Sequence, residues 1–325
     1  MRIYAAPMEG ITGYIYRNAH FRWFGGVDRY FTPFIVPGKK RGFRSRELND
    51  ILPAHNEGVP VTPQILTNDS EDFLHTAAIL RDYGYEEVNL NLGCPSGTVV
   101  SKGRGSGFMA VPEELDGFLE RIFSGTKMKI SIKTRIGLEE PEEFDRLLEI
   151  YKKYPIRELT VHPRVQKDLY RNEPRRQVFA KALELPGIPV CYNGDLFSVA
   201  DAAAFREEFP QVEAVMLGRG LIAGPGLAAG VRAQAPVPVK KETFAAFHQE
   251  LLEGYCREMS GDRNVLFKMK ELWAYMIHLF PDAGGYAKKL RKASRVTEYS
   301  LWVNRLLAER ELLPEADTSF LRQGR

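Results

Sequence analysis

Short apolar runs recur along this chain about every thirty positions, and most of the intervals between them carry an amphipathic helical pattern. The runs span 2–6, 29–34, 61–66, 87–92, 129–134, 158–162, 188–192 and 214–217. In 87–92, Val88, Leu90 and Leu92 alternate with Asn89 and Asn91, the period of two that a strand needs. Between runs, 71–83 places Phe73, Leu74, Ala77, Ala78 and Leu80 at helical spacing. The stretch 112–123 starts at Pro112, suited to a first helical turn, and puts Leu115, Phe118, Leu119 and Ile122 on one face. Residues 142–154 repeat this with Phe144, Leu147, Leu148 and Tyr151, and Ser198 reads as the N-cap of a helix through Phe209. The interval after the second run is less regular, and its basic stretch 39–46 reads as loop. Eight strands alternating with helices predict an α/β fold of the (β/α)8 TIM-barrel kind. A doubly wound open sheet is the alternative, but usually has fewer strands.

The pattern changes near Ala233. Pro236 and Pro238 make a linker that cannot be regular helix. Beyond it, 243–310 is helical throughout, with stripes such as Phe244, Phe247, Leu251, Leu252 and Tyr255, then Leu266, Met269, Leu272, Trp273 and Met276. A barrel domain is therefore expected over 1–235, a small helical bundle over 240–312 and a frayed tail over 313–325.

Composition adds exclusions. The 44% hydrophobic content suits a large core, and a net charge of +3 announces no polyanion partner by itself. Charge distribution says more: residues 240–310 hold 13 Lys and Arg against 9 Asp and Glu, most densely at 288–295. Cys94, Cys191 and Cys256 lie far apart without a CxxC pair, which argues against a disulfide framework or a metal cluster and suits a reducing cytoplasm. The first residues are too short an apolar run for a signal peptide, and no run reaches the length of a membrane span.

In such a barrel the chemistry sits at the carboxy-terminal ends of the strands. Those positions hold Pro7-Met8-Glu9, Gln64, Asn91 with Cys94, Lys133 with Arg135, His162-Pro163-Arg164, Asn193-Gly194-Asp195 and Gly218-Arg219. Cys94 lies between Gly93 and Pro95. The following Gly103, Gly105 and Gly107 suggest a mobile segment able to close over the thiol. Gly218-Arg-Gly-Leu-Ile-Ala223 mimics a dinucleotide fingerprint, but no βαβ unit or acidic partner follows it. The better reading is a single phosphate held by the loops after the last two strands, with Arg219 as the cation, which suits a mononucleotide or a phosphosugar. Cys191, in a strand, and Cys256, on a helix, read as structural.

These segments resemble the tRNA-dihydrouridine synthases. The matching residues are Ala6-Pro7-Met8-Glu9-Gly10, Gln64 in Pro-Gln-Ile-Leu, Asn91-Leu-Gly-Cys94-Pro95, Lys133 in Ile-Lys-Thr-Arg, His162-Pro-Arg164, Asn193-Gly-Asp195 and Gly218-Arg219, and they continue through 267–275. Asn-Leu-Gly-Cys-Pro is the most specific piece. The resemblance implies an FMN-binding barrel with a helical carboxy-terminal domain. It implies reduction of tRNA uridines to 5,6-dihydrouridine, with NADPH as reductant and NADH as the other candidate.

The same resemblance implies roles. Cys94 would give the proton to uracil C5, as a thiol with an ordinary pKa near 8.5 is almost wholly protonated at pH 7. Lys133 would stabilise charge on the flavin, Gln64 would bond its edge, and Pro7, Met8 and Glu9 would form a shelf beneath it. His162 would lie near the flavin or its ribityl phosphate, with Asn193, Gly194, Asp195, Gly218 and Arg219 holding the phosphate. Asn91, Arg135 and Arg164 would face the substrate. Lys268, Lys270, Lys288, Lys289 and Arg291, with the 39–46 loop, would bind the RNA backbone, while Trp273 and Tyr275 read as core. No protein partner is implied, and a monomer is expected. Gly97, Val165 and Tyr192 depart from residues common in the family and leave the subfamily open. Two competing readings are a flavin barrel acting on a free small molecule, as in dihydroorotate dehydrogenases or ene-reductases, and an RNA-binding protein with a vestigial flavin site.

Overall fold

The computed structural model describes residues 1–38 and 42–322. Nine parallel strands form one sheet: β1 (Arg2–Ala5), β2 (Arg29–Phe31), β3 (Val61–Thr62), β4 (Gln64–Ile65), β5 (Glu87–Leu92), β6 (Lys129–Arg135), β7 (Leu159–His162), β8 (Val190–Tyr192) and β9 (Ala214–Leu217). Their order is β3-β2-β1-β9-β8-β7-β6-β5-β4. The two ends of that order are consecutive in sequence, so the sheet curls into a barrel. The ninth strand is the expected third run divided at Pro63. Proline has no N–H to donate, but its carbonyl still accepts from Asn89 N at 2.8 Å, and Ile35 N bonds Gln64 O at 2.8 Å.

The helices follow the expected signals. Asp69 caps Ser70–Asp82 by accepting from the N–H groups of Glu71 and Asp72, and Ser198 caps Val199–Glu208 by accepting from Asp201. Pro112–Gly125 and Glu143–Tyr151 bury the apolar stripes read from the sequence. Of the basic stretch 39–46, residues 39–41 lie outside the described residues, and Ser45 begins the helix Ser45–Ile51.

Alternation in β5 has a consequence inside the barrel. Val88, Leu90 and Leu92 pack outward under the helices, which turns Glu87, Asn89 and Asn91 inward. Half of the interior is therefore a polar chain: Gln64 Nε2 donates to Asn89, Asn89 Nδ2 to Ser131, and Ser131 Oγ to Glu87, at 2.7, 3.0 and 2.7 Å. Tyr4, Ala6, Phe31, Cys191 and Met216 fill the other half.

Four long helices follow the linker, Lys241–Glu258, Asp262–Met276, Gly284–Lys292 and Val296–Glu309, and a short one, Ser319–Arg322, comes after them. Their core is continuous with part of the barrel's helical layer, as Tyr16, Ala19 and Ile222 belong to the same apolar cluster as Phe244, Leu251 and Met269. Gly254 makes the crossing possible, because a Cβ there would lie 2.7 Å from Ile15. Trp273 is core: its indole N–H donates to the buried Tyr299 hydroxyl, which also bonds His248. Of the segment expected to fray, residues 313–322 are packed instead, and 323–325 lie outside the described residues. The packed part ends in the helix Ser319–Arg322 and returns to the barrel. A lone Phe-Leu pair is too short for any periodicity to reveal such packing.

Candidate active site

A cavity of about 480 Å³ opens at the carboxy-terminal ends of the strands. Pro7, Met8, Glu9, Gln64, Asn91, Cys94, Lys133, Arg135, His162, Asn193, Gly194, Asp195, Gly218 and Arg219 all line it, from seven different strand ends. Each strand delivers its last inward position to the same mouth, which is why residues as distant in sequence as Pro7 and Arg219 meet there.

Cys94 is held by its own loop. Asn91 Oδ1 accepts from the N–H groups of Gly93 and Cys94 at 3.1 and 2.9 Å, while Asn91 Nδ2 donates to Gln64 Oε1 at 2.7 Å. Arg135 Nε donates to Gly93 O at 3.1 Å, and its other nitrogens reach Val165 O and Leu169 O. The glycine-rich segment closes this frame from the other side. Ser106 N and Oγ both donate to Cys94 O, at 3.1 and 2.8 Å. A Cβ on Gly105 would meet that carbonyl at 2.9 Å, and one on Gly107 would meet Val100 O at 2.7 Å. Residues 105–109 are buried. Two of the three glycines expected in a mobile segment, Gly105 and Gly107, thus permit close packing beneath the thiol.

Burial pushes the Cys94 thiol up from its ordinary value; a backbone hydrogen bond from Ser96 and the charge of Arg135 oppose this without reversing it. The group is a thiol at neutral pH. Lys133 shows the opposite effect. Burial, aided by Arg135, lowers its ammonium to about 8. Its side chain keeps some surface, facing the cavity, and among the described residues it has no hydrogen-bond acceptor. His162 is held well below its usual range by burial and by Arg135, Lys133, Arg164 and Arg219, so it is neutral. Arg164 Nη1 can only donate to His162 Nε2, at 3.0 Å, which leaves the ring proton on Nδ1.

Arg164 itself lies behind the cavity wall, buried, and bonds Asn172 O and both carboxylate oxygens of Asp195. Asp195 also accepts from Arg219 at 2.9 Å, so its carboxylate is turned to guanidiniums. Gly194 is fixed by Tyr192, whose hydroxyl would sit 2.7 Å from a Cβ there. Glu9 pairs with Arg46 at the rim.

Two aromatic side chains of the wall escaped the sequence reading. Tyr170 and Phe197 line the cavity, and Arg219 lies over both rings, at 4.5 and 5.1 Å. Tyr170 sits eight residues beyond a strand end in an irregular loop, where no period marks it. The only available signal was an aromatic residue set among Lys167, Arg171 and Arg175.

The predicted RNA-facing lysines divide. Lys268 donates to Gly10 O at 2.7 Å and pairs with Glu271, which ties the helical part to the shelf loop. Lys270 donates to Ala293 O at 2.6 Å, ending the helix Gly284–Lys292. Lys288, Lys289 and Arg291 are exposed on that helix.

A half-buried thiol and a half-buried ammonium, brought to the mouth of a parallel barrel from two adjacent strands, give the fold the site of an enzyme. The family model described as Dihydrouridine synthase (Dus) matches residues 4–311, and the chain belongs to that family. Similar proteins include the probable tRNA-dihydrouridine synthase 1 of Synechocystis, 26% identical over 91% of this chain and 84% of that one. The tRNA-dihydrouridine(16) synthase of Neisseria meningitidis is 26% identical over 95% of both. Among solved structures, an old yellow enzyme homologue from Zymomonas mobilis superposes with a TM-score of 0.52 at 13% identity, over 75% of this chain and 92% of that one. That likeness is one of fold.

Proposed function

We propose that this protein reduces uridines of tRNA to 5,6-dihydrouridine with FMN as cofactor and NADPH as reductant. The observation that carries the reading is the pairing, in one cavity, of a protonated thiol on a clamped loop with a half-buried ammonium that has no hydrogen-bond acceptor among the described residues. Lys133 is the test of fit. A desolvated cation without an acceptor among the described residues calls for an electron-rich ligand, and a flavin ring, whose reduced form is anionic, meets that need. Gln64, Lys133 and His162 would hold the ring, with residues 7–9 beneath it. Arg219, with the loops at 193–194 and at 218, would take the phosphate, and Asp195 would orient Arg219.

When bound, the flavin supplies the hydride that uracil C6 receives. The chain supplies the rest. Asn91 and Arg135 fix the backbone that carries Cys94, and Sγ–H gives its proton to C5 of the base. The resulting thiolate, close to Arg135 and Lys133, regains a proton from solvent. Burial favours the acid form needed for the first of these steps and makes the thiolate short-lived. The substrate base must leave its stack to reach the cavity. The exposed Lys288, Lys289 and Arg291 would bind the RNA backbone.

The test is to record the visible spectrum of the purified protein and to incubate it with NADPH and unmodified tRNA, beside Cys94→Ala. A flavin spectrum with dihydrouridine formed by the wild type and nearly lost in the variant supports the assignment. A flavin spectrum without dihydrouridine would transfer the site to a small-molecule reductase.

A further inference from the structure

The loop that carries Phe197 is held from behind by the segment after the last long helix. Leu313 N donates to Leu279 O and Asp317 N to His278 O, at 2.8 and 2.9 Å, and Phe320 stacks on His278 with ring centroids 3.6 Å apart. These contacts anchor the segment on the helical part. It then crosses to the barrel. Leu321 is buried with Phe197 and Ala223, and Glu315 accepts from Val199 N at 2.8 Å. Arg322 donates twice to Asp201, at 2.8 and 2.7 Å, and the same carboxylate accepts from the N–H groups of Phe197 and Ser198. The segment therefore packs just beyond both loops assigned to the phosphate, on Phe197, Val199 and Asp201 after β8 and on Ala223 at the end of the helix after β9. The Phe197 ring it supports lies under two guanidiniums: Arg322 at 5.5 Å and Arg219 at 5.1 Å.

We propose that residues 315–322 are a positioning strap for Arg219, which they hold, through Phe197 and Asp201, in the orientation that receives the cofactor's phosphate. The proposal rests on the flavin mononucleotide reading above. Arginine has many rotamers, and immobilising it before the ligand arrives lowers the cost of binding. Asp195 fixes one edge of the guanidinium, and Tyr170 and Phe197 its faces. Of these supports, only Phe197 depends on the strap. The strap also joins the helical part to the cofactor end of the cavity, so a strain on one is felt by the other.

A structural role alone would loosen the site for any flavin. A role through Arg219 acts on the phosphate only, and riboflavin, which lacks it, separates the two. Apoprotein is titrated with FMN and with riboflavin by quenching of flavin fluorescence, for the wild type, Arg322→Ala, Arg322→Lys and Leu321→Ala. Arg322→Ala is expected to weaken FMN about three- to tenfold, the range of one partly exposed ion pair and one cation–π contact, and riboflavin by less than about twofold. Arg322→Lys should recover part of the affinity. Unchanged FMN affinity in both Arg322→Ala and Leu321→Ala, or equal weakening for the two flavins, overturns the strap. A wild type that binds riboflavin as tightly as FMN overturns it by removing the phosphate contact. A wild type that binds neither overturns the flavin reading itself.

Discussion

At the scale of single residues, Cys94 and Lys133, which line the same cavity, are tuned in opposite directions by burial. For Cys94 the neutral form is the useful one. Cys94→Ala should lower dihydrouridine formation at least about a hundredfold, the usual weight of a positioned acid, with the flavin spectrum unchanged; single-turnover assays on tRNA check this. Asn91→Ala, which frees the Gly93 and Cys94 N–H groups, should lower the same rate about tenfold, and because Gln64 loses its bond from Asn91 flavin should bind up to about fivefold more weakly. For Lys133 the charged form is the useful one, and the fold resists it. Its pKa is about 8 in the folded chain, against about 10.4 when unfolded. A lowered folded value means the unfolded chain binds the proton more tightly, so the group costs stability below pH 8 and the cost fades as pH rises to about 10.4. Lys133→Met should therefore stabilise the ligand-free protein by about 1–3 kcal/mol at pH 7 and by little near pH 10.5. Thermal unfolding at the two pH values reads this directly. Flavin affinity should move the other way, falling in the variant and, for the wild type, falling as pH rises above 8.

At the scale of elements, what the sequence showed depended on whether a feature has a period. The strands were legible because Val88, Leu90 and Leu92 alternate with inward polar residues, and their polar ends were legible because a barrel delivers them to one rim. The division of the third run at Pro63 was also visible in principle, since proline cannot donate. The roles of Gly105 and Gly107 were not legible because a glycine needed for close approach looks, in sequence, like one needed for motion. The structure distinguishes them by what a Cβ would meet. Gly105 has φ of 57° and Cys94 O only 2.9 Å from a Cβ. Gly105→Ala should destabilise the protein by about 1–3 kcal/mol and expose the thiol. Urea midpoints and the rate of Cys94 alkylation by iodoacetamide test both effects; a flap glycine would leave the midpoint unmoved. Tyr170 and the 313–322 segment were illegible for a different reason, because each is an isolated contact made across the fold.

At the scale of the whole molecule, the excess of basic residues in the helical part is smaller in effect than in number. Lys268 and Lys270 are spent within the chain, on Gly10 O and Ala293 O. Lys288, Lys289 and Arg291 face solvent on Gly284–Lys292, an element that contributes no residue to the cavity wall. The two groups of cations therefore separate experimentally. Replacing Lys288, Lys289 and Arg291 together with Glu should weaken tRNA binding and reduce the slope of log affinity against log salt by about 2–3, because each phosphate that the protein no longer neutralises keeps close to one counterion that binding would have released. Flavin content should not change, and thermal stability should fall by only about 1–2 kcal/mol, from the lost contact of Lys289 with Trp302 and the acidic groups placed in the last helical turn. Lys270→Ala should cost about 1 kcal/mol as a helix end gives up its hydrogen bond, with the salt slope retained. If the triple variant bound tRNA with the wild-type slope, the exposed face of Gly284–Lys292 would have no part in RNA recognition. The RNA would then have to be held nearer the mouth of the cavity, where Arg46 stands exposed at the rim.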